Sequence, residues 1–220
     1  MQIQVNNIYL NYEVTGSGRP LILLHGNGED HKIFDEAVSQ LKSQFTCYAV
    51  DSRDHGDSSP CPELHYQDMA DDMIAFMDQL DLRDVLFFGF SDGGIIGLLC
   101  AMKTDRITTL VTAGANATPD GVKPLLKGFM KLISRFTLDS KIRLMLTEPH
   151  ITENDLRSIK AKTLVLAGEK DVVTDHETKF IAANIPGATL RFVKGEGHGS
   201  YIVHSTKFVK YVVYADRMMK

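Results

Sequence analysis

The stretch Val85-Leu86-Phe87-Phe88-Gly89-Phe90-Ser91-Asp92-Gly93-Gly94-Ile95-Ile96-Gly97 constrains this chain more than any other. An apolar, β-favouring run halts at Gly89. A serine, two glycines and a second apolar run with helical character follow. The pattern reads as strand, tight turn and helix, with Ser91 at the apex of Gly-x-Ser-x-Gly. A side chain held on so sharp a turn strains its own backbone, and bulk at Gly89 or Gly93 would collide with the turn. The same turn aims the next helix N-terminus, with its free N–H groups and dipole, at whatever atom the serine attacks.

The rest of the chain repeats a strand–helix rhythm around this unit. Residues 3–5 and 8–14 alternate with period two about Asn6-Asn7, as an antiparallel hairpin with one wet face does. Leu21-Ile22-Leu23-Leu24 is continuously apolar, as a strand covered on both faces requires, and ends in His25-Gly26-Asn27-Gly28. Helical spacing over 33–41 precedes a strand over 45–50 and a polar, turn-rich loop over 51–60. A helix over 66–80 leads into the central strand, and the helix after Ser91 runs to about Lys103. Strands follow at 107–111, 162–167 and 189–193, with helices near 177–183 and over 201–217. Between 118 and 154 the rhythm breaks. Leu125, Leu126, Phe129, Met130, Leu132, Ile133 and Phe136 recur at helical spacing, and a short helix is expected over 141–146.

This pattern predicts an α/β chain with a mostly parallel, eight-stranded sheet, an N-terminal antiparallel hairpin, helices on both faces and a short helical lid. A single domain is expected, with its core over 1–116 and 155–220 and the lid over 117–154; 220 residues suffice for one such core. Ligands of such sheets bind beyond the carboxyl ends of the strands, where the turns after Leu24, Phe90, Ala167 and Val193 gather.

A net charge of −4 gives no sign of a polyanion-binding surface, so neither nucleic acid nor a membrane is expected as a partner. No apolar run approaches a membrane span, and the N-terminus lacks the basic and apolar regions of a signal peptide. Cys47, Cys61 and Cys100 are odd in number and lie in no metal-ligand spacing. They are expected as reduced thiols of a cytoplasmic protein, with Cys47 and Cys100 in the core.

A serine hydroxyl attacks only when a base takes its proton, and histidine is the side chain suited to that at neutral pH. The histidine in turn needs a carboxylate to fix its tautomer and stabilise its cation. Ser91, Asp171 and His198 occur in that order, each just after a strand, with Asp175 as the alternative acid. His198 sits between Gly197 and Gly199, where a tight, exposed conformation is allowed.

Taken together, His25-Gly26-Asn27-Gly28, Asp51-Ser52-Arg53, His55-Gly56-Asp57-Ser58, Gly89-Phe90-Ser91-Asp92-Gly93-Gly94, Gly168-Glu169-Lys170-Asp171 and Gly197-His198 resemble the α/β-hydrolase fold superfamily over nearly the whole chain. The resemblance implies Ser91 as nucleophile, His198 as base and Asp171 as orienting acid, with the backbone N–H groups of Asn27 and Asp92 as oxyanion hole. It implies no cofactor and no metal. It implies a carboxylesterase-like serine hydrolase of a small carboxylic ester or related acyl compound. C–C bond hydrolysis, lactone opening, acyl transfer and perhydrolysis use a similar triad. Haloalkane and epoxide chemistry is disfavoured, because those relatives carry Asp at the elbow. A reading of another class is a slow-turnover signalling protein that binds a small molecule and recruits a partner through its lid. The chain departs from the family pattern at Asp54, where relatives often have glycine, and its insert is short beside many relatives' caps.

His25 and His55 are expected to brace their turns, and His31, His65, His150, His176 and His204 to be solvated or locally bonded. Leu125, Phe129, Met130 and Ile133 are candidates for the pocket wall as well as for packing on the body. Asp92 either complements the dipole of its helix or faces the pocket and favours substrates bearing a cationic amine.

Overall fold

The computed structural model describes residues 1–218. The strands are β1 (Gln2–Val5), β2 (Ile8–Gly16), β3 (Arg19–Leu24), β4 (Phe45–Val50), β5 (Val85–Phe90), β6 (Ile107–Ala113), β7 (Lys162–Lys170) and β8 (Thr189–Gly197). They form one eight-stranded sheet in the order β1-β2-β4-β3-β5-β6-β7-β8. β1 and β2 pair antiparallel, β2 meets β4 antiparallel, and every later pairing is parallel. The hairpin turns at Asn6 and Asn7 with φ of 42° and 66°, a left-handed pair that asparagine tolerates. The sheet therefore has the predicted class and topology.

The helices are α1 (Asp35–Leu41), α2 (Tyr66–Gln79), α3 (Asp92–Lys103), α4 (Pro124–Ile133), α5 (Ser140–Thr147), α6 (Glu153–Arg157), α7 (Asp175–Asn184) and α8 (Val209–Arg217). Alternate residues of each buried strand feed opposite layers. Leu21 and Leu23 pack with Phe34, Phe45 and Phe208 on the face covered by α1 and α8. Ile22 and Leu24 pack with Met73, Phe76 and Ile96 on the face covered by α2 and α3. This two-sided burial is why the strands read as unbroken apolar runs. Cys47 and Cys100 are buried in these layers, where burial pushes both thiols up, Cys47 to about 12.

Three local differences from the sequence reading matter. β7 and β8 run past their apolar residues to Lys170 and Gly197, which pair across the ladder. Backbone hydrogen bonds continue where the side-chain pattern has stopped, and this delivers Asp171 and His198 together to the sheet edge. The last helix starts at Val209 rather than 201. Ile202 and Val203 instead turn on the Gly199 carbonyl, and His204 has φ of 45°, which a helix does not admit. α6 was not anticipated; a reciprocal capping box between Thr152 and Asp155 starts it.

α4 and α5 sit in the insert between β6 and β7. Its base is tied to the loop after β7 by Lys123 N–H to Val172 O (2.8 Å) and Thr174 N–H to Gly121 O (2.8 Å). Asp54 adopts φ of 60°, so the turn survives the loss of glycine. Its carboxylate reaches the insert, pairing with Lys141 at 2.5 Å. Among the described residues no helix is long and apolar enough to cross a membrane.

Candidate active site

The turn at Ser91 is as tight as its glycines imply. Ser91 has φ 52° and ψ −114°, a strained conformation for a residue with a side chain. A Cβ on Gly89 would lie 2.1 Å from Gly93 O, and one on Gly93 would lie 2.2 Å from Leu24 O. Both obstacles are backbone, so neither can swing aside. Gly93→Ala is therefore expected to destabilise the fold by about 1–3 kcal/mol, read as a lower urea midpoint at unchanged slope. A midpoint equal to wild type would contradict this description of the turn.

Ser91 Oγ lies 3.0 Å from His198 Nε2, and His198 Nδ1 lies 2.6 Å from Asp171 Oδ1. Asp171 is buried and also accepts N–H bonds from Gly168 and Val173, both at 3.0 Å. Burial alone would raise its carboxyl, but the His198 and backbone donors outweigh that and hold it below the ordinary carboxylate range. An ionised Asp171 makes Nδ1 of His198 the protonated nitrogen and leaves Nε2 free to accept from the serine. Asp175, the alternative acid, is exposed at the start of α7 and pairs with Lys179 at 3.7 Å.

The second turn, His25 to Gly28, packs against the first. Gly93 N–H donates to His25 O (3.0 Å) and Gly26 N–H to a Glu29 carboxylate oxygen (2.9 Å). His25 donates from Nδ1 to Gly26 O (2.7 Å) and accepts at Nε2 from Ser52 N–H (3.1 Å). Burial lowers its pKa to about 4, so it is a neutral brace in the middle of a hydrogen-bond chain. His55 braces its own loop through Nδ1–H to Arg53 O at 2.9 Å. The Asn27 and Asp92 N–H groups have no hydrogen-bond acceptor among the described residues; Asp92 opens α3, so its N–H is one of the helix's unpaired donors.

Asp92 is 4% exposed and joins the two turns. Its Oδ2 accepts from Asn27 Nδ2 and its Oδ1 from the Tyr66 hydroxyl, both at 2.8 Å. Burial raises its carboxyl, opposed by these two donors and by His55 and His198 nearby, and no Lys or Arg among the described residues pairs with it. The pair of turns is thus clamped by a buried carboxyl group that sequence spacing could not connect to Tyr66 or Asn27.

A cavity of about 300 Å³ opens above Ser91 and His198. Phe90, Asn27, Glu29 and Asp92 form its floor, and Val172 and Val173 one side. Phe129, Met130 and Ile133 of the insert line it, together with Leu126. Leu125 does not: it is 90% exposed. At 100° per residue, 126, 130 and 133 share the inward face of α4, and 125 is turned about a quarter-turn away from it. Glu29, Tyr66, Val173 and Met145 of the same cavity carried no sequence signal, because each arrives from a separate element. A wider cleft of about 610 Å³ beside His65, Leu99 and Glu148 shares Tyr66 with this cavity but is lined by none of Ser91, Asp171 and His198. No group of three or more His, Cys, Asp or Glu among the described residues is placed to hold a metal ion.

With this geometry in place, comparison with known proteins is decisive at the level of family. The sequence model described as the alpha/beta hydrolase fold matches residues 19–150. The chain belongs to this family. Its similarity to other alpha/beta hydrolases extends beyond the matched segment. The AB hydrolase superfamily protein YisY of Bacillus subtilis is 28% identical over 251 aligned positions, covering 91% of this chain and 92% of YisY. That alignment is longer than the 220 residues of this chain, so YisY carries residues that this alpha/beta hydrolase lacks. Serine hydrolase BPHL of Mus musculus is 27% identical, covering 96% and 84% of the two chains. Among solved structures, an esterase from Exiguobacterium antarcticum superposes with a TM-score of 0.82 at 24% identity over 98% of each chain, a likeness of fold.

Proposed function

We propose that this alpha/beta hydrolase is a serine hydrolase that cleaves small carboxylic esters through an acyl-enzyme on Ser91. The observation that carries the reading is the unbroken line from Ser91 Oγ through His198 to the buried Asp171 carboxylate, open to a mostly apolar cavity. In this reading His198 Nε2 takes the Ser91 proton as Oγ attacks the ester carbonyl, and the Asn27 and Asp92 N–H groups receive the oxyanion. Collapse breaks the bond to the alcohol oxygen, which leaves with the proton from His198. Water then repeats the sequence on the acyl-enzyme and releases the acid. The free amides and the α3 dipole supply charge stabilisation where it develops. The relatives named serine hydrolase and esterase support the class. The apolar wall of Leu126, Met130, Ile133 and Val173, with a volume at the small end for ligand sites, favours a short apolar acyl or alcohol group. The 117–154 segment serves as the lid.

Rapid mixing with excess p-nitrophenyl acetate tests this. The expected trace is a burst approaching one equivalent of nitrophenol per chain, followed by steady turnover. A single equivalent without turnover would favour the receptor reading; no release at all would remove the assignment.

Asp92 supports a preference within this class. It is a carboxylate at the cavity floor without a Lys or Arg partner among the described residues, so a substrate ammonium would supply a counter-charge. Asp92→Asn retains the geometry, since its amide can accept from Asn27 and donate to Tyr66. It is expected to lower the ratio of amino-ester to neutral-ester kcat/KM roughly 10- to 100-fold. An unchanged ratio would discard the preference. The same variant has a signed pH dependence. Because the folded carboxyl is raised, the stability of wild type relative to Asp92→Asn is fully present below the ordinary carboxylate value and is lost as pH rises through the folded one. Urea titrations from pH 3 to pH 8 read this directly, and a difference growing with pH would have the wrong sign.

A further inference from the structure

The outward side of α4 has no counterpart elsewhere on the surface of the described residues. Leu125, Phe129, Leu132 and Phe136 are 90, 58, 52 and 81% exposed, and Leu138 follows at full exposure. These five are the majority of the nine large exposed hydrophobic residues among those described, and they lie within one short segment. Positions 125, 129, 132 and 136 fall on one line of the helix and the turn that continues it. Arg135 flanks that line, and Lys131 and Lys127, spaced by four, step farther round the helix from it. From 123 to 143 the chain carries six Lys or Arg and a single acid, Asp139, within a protein of net charge −4. Lys123, Lys131 and Arg135 are exposed and have no ion-pair partner among the described residues.

We propose that this face of α4 docks on an anionic phospholipid bilayer surface. The apolar line enters the headgroup boundary and the cations meet lipid phosphates, the arrangement by which short amphipathic helices lie in an interface. Charge selects this occupant over a second copy of the chain. An isologous contact through this face would bring its unpaired cations against their own images. The overall negative charge, which pointed away from any anionic surface, conceals this local reversal. The adjoining side of the same helix carries Met130 and Ile133 into the cavity, and Phe129 belongs to both, so docking would set the cavity mouth at the lipid boundary.

Co-sedimentation of the full chain with vesicles of phosphatidylglycerol and phosphatidylcholine, against pure phosphatidylcholine, tests this. Binding is expected to the anionic vesicles alone and to weaken as salt is raised. Lys131→Gln with Arg135→Gln is expected to weaken it about 30-fold. Leu125→Ser with Leu132→Ser and Phe136→Ser is expected to abolish it, and both variants should hydrolyse soluble p-nitrophenyl acetate at the wild-type rate. Absent binding, equal binding to neutral vesicles, or variants that bind like wild type would overturn the proposal. So would a wild-type dimer in sedimentation velocity that the triple serine variant makes monomeric. The vesicle result is read without catalysis, so its failure leaves the Ser91 assignment standing, and the converse holds.

Discussion

Ser91→Ala is expected to lower kcat for p-nitrophenyl acetate by about 10⁶-fold, to the level left by binding and the oxyanion donors alone. The reason is local. In the proposed mechanism Oγ accepts the acyl group; it lies 3.0 Å from His198 Nε2, and no other hydroxyl is placed against that nitrogen among the described residues. The substitution removes one buried-edge oxygen without touching the glycines that shape the turn, so the thermal midpoint should stay within a few degrees of wild type. A variant retaining a tenth of wild-type turnover while folded would mean that the nucleophile lies elsewhere.

The second large effect is at Asp171. Asp171→Asn is expected to reduce kcat by about 10⁴-fold, because an amide in place of the carboxylate no longer enforces Nδ1–H on His198 and no longer stabilises the imidazolium. Stability also changes, because Gly168 and Val173 each donate to a carboxylate oxygen that the amide replaces at one position. A cost of about 1–3 kcal/mol follows from one N–H left facing an NH2 group. The two consequences separate experimentally: turnover is corrected for the folded fraction, and Asp175→Asn serves as control, with no expected effect on rate. Folding linkage has the opposite sign from that at Asp92. The folded Asp171 carboxyl is lowered, so its contribution is present above the ordinary value of 3.8 and is lost as pH falls through the folded value. Equal activity of Asp171→Asn and wild type at neutral pH would remove Asp171 from the assignment.

Much of this was legible in the chain because steric demands leave few residue choices. Gly89 and Gly93 announce the turn because backbone sits where their side chains would be. The strands announce their two-sided burial because both faces of the sheet are covered. Asp171 and His198 were legible as post-strand residues, although the strands extend farther than their apolar patterns. What stayed hidden depends on rotation and on meetings between distant elements. Along α4, apolar residues fill two lines, 126/130/133 and 125/129/132, and periodicity does not say which one faces inward. The structure turns the first inward, leaving Leu125 and Leu132 outside the cavity and Phe129 at its edge. Asp92 could be read as a helix-dipole partner or a pocket charge, but its bonds to Tyr66 and Asn27 join three parts of the chain that no local pattern connects. The start of α8 was misplaced because Tyr201, Ile202 and Phe208 are fully buried and mimic a helical face across a turn that His204 breaks.

The proposed chemistry requires Ser91 to be the activated hydroxyl of the protein. Labelling with a fluorophosphonate, followed by peptide mass spectrometry, reads that hydroxyl directly. The expected result is a single adduct on the peptide carrying Ser91, formed by wild type and by Asp175→Asn, and absent from His198→Ala over the same interval. An adduct on any other residue, or labelling of Ser91 at an undiminished rate without His198, would contradict it.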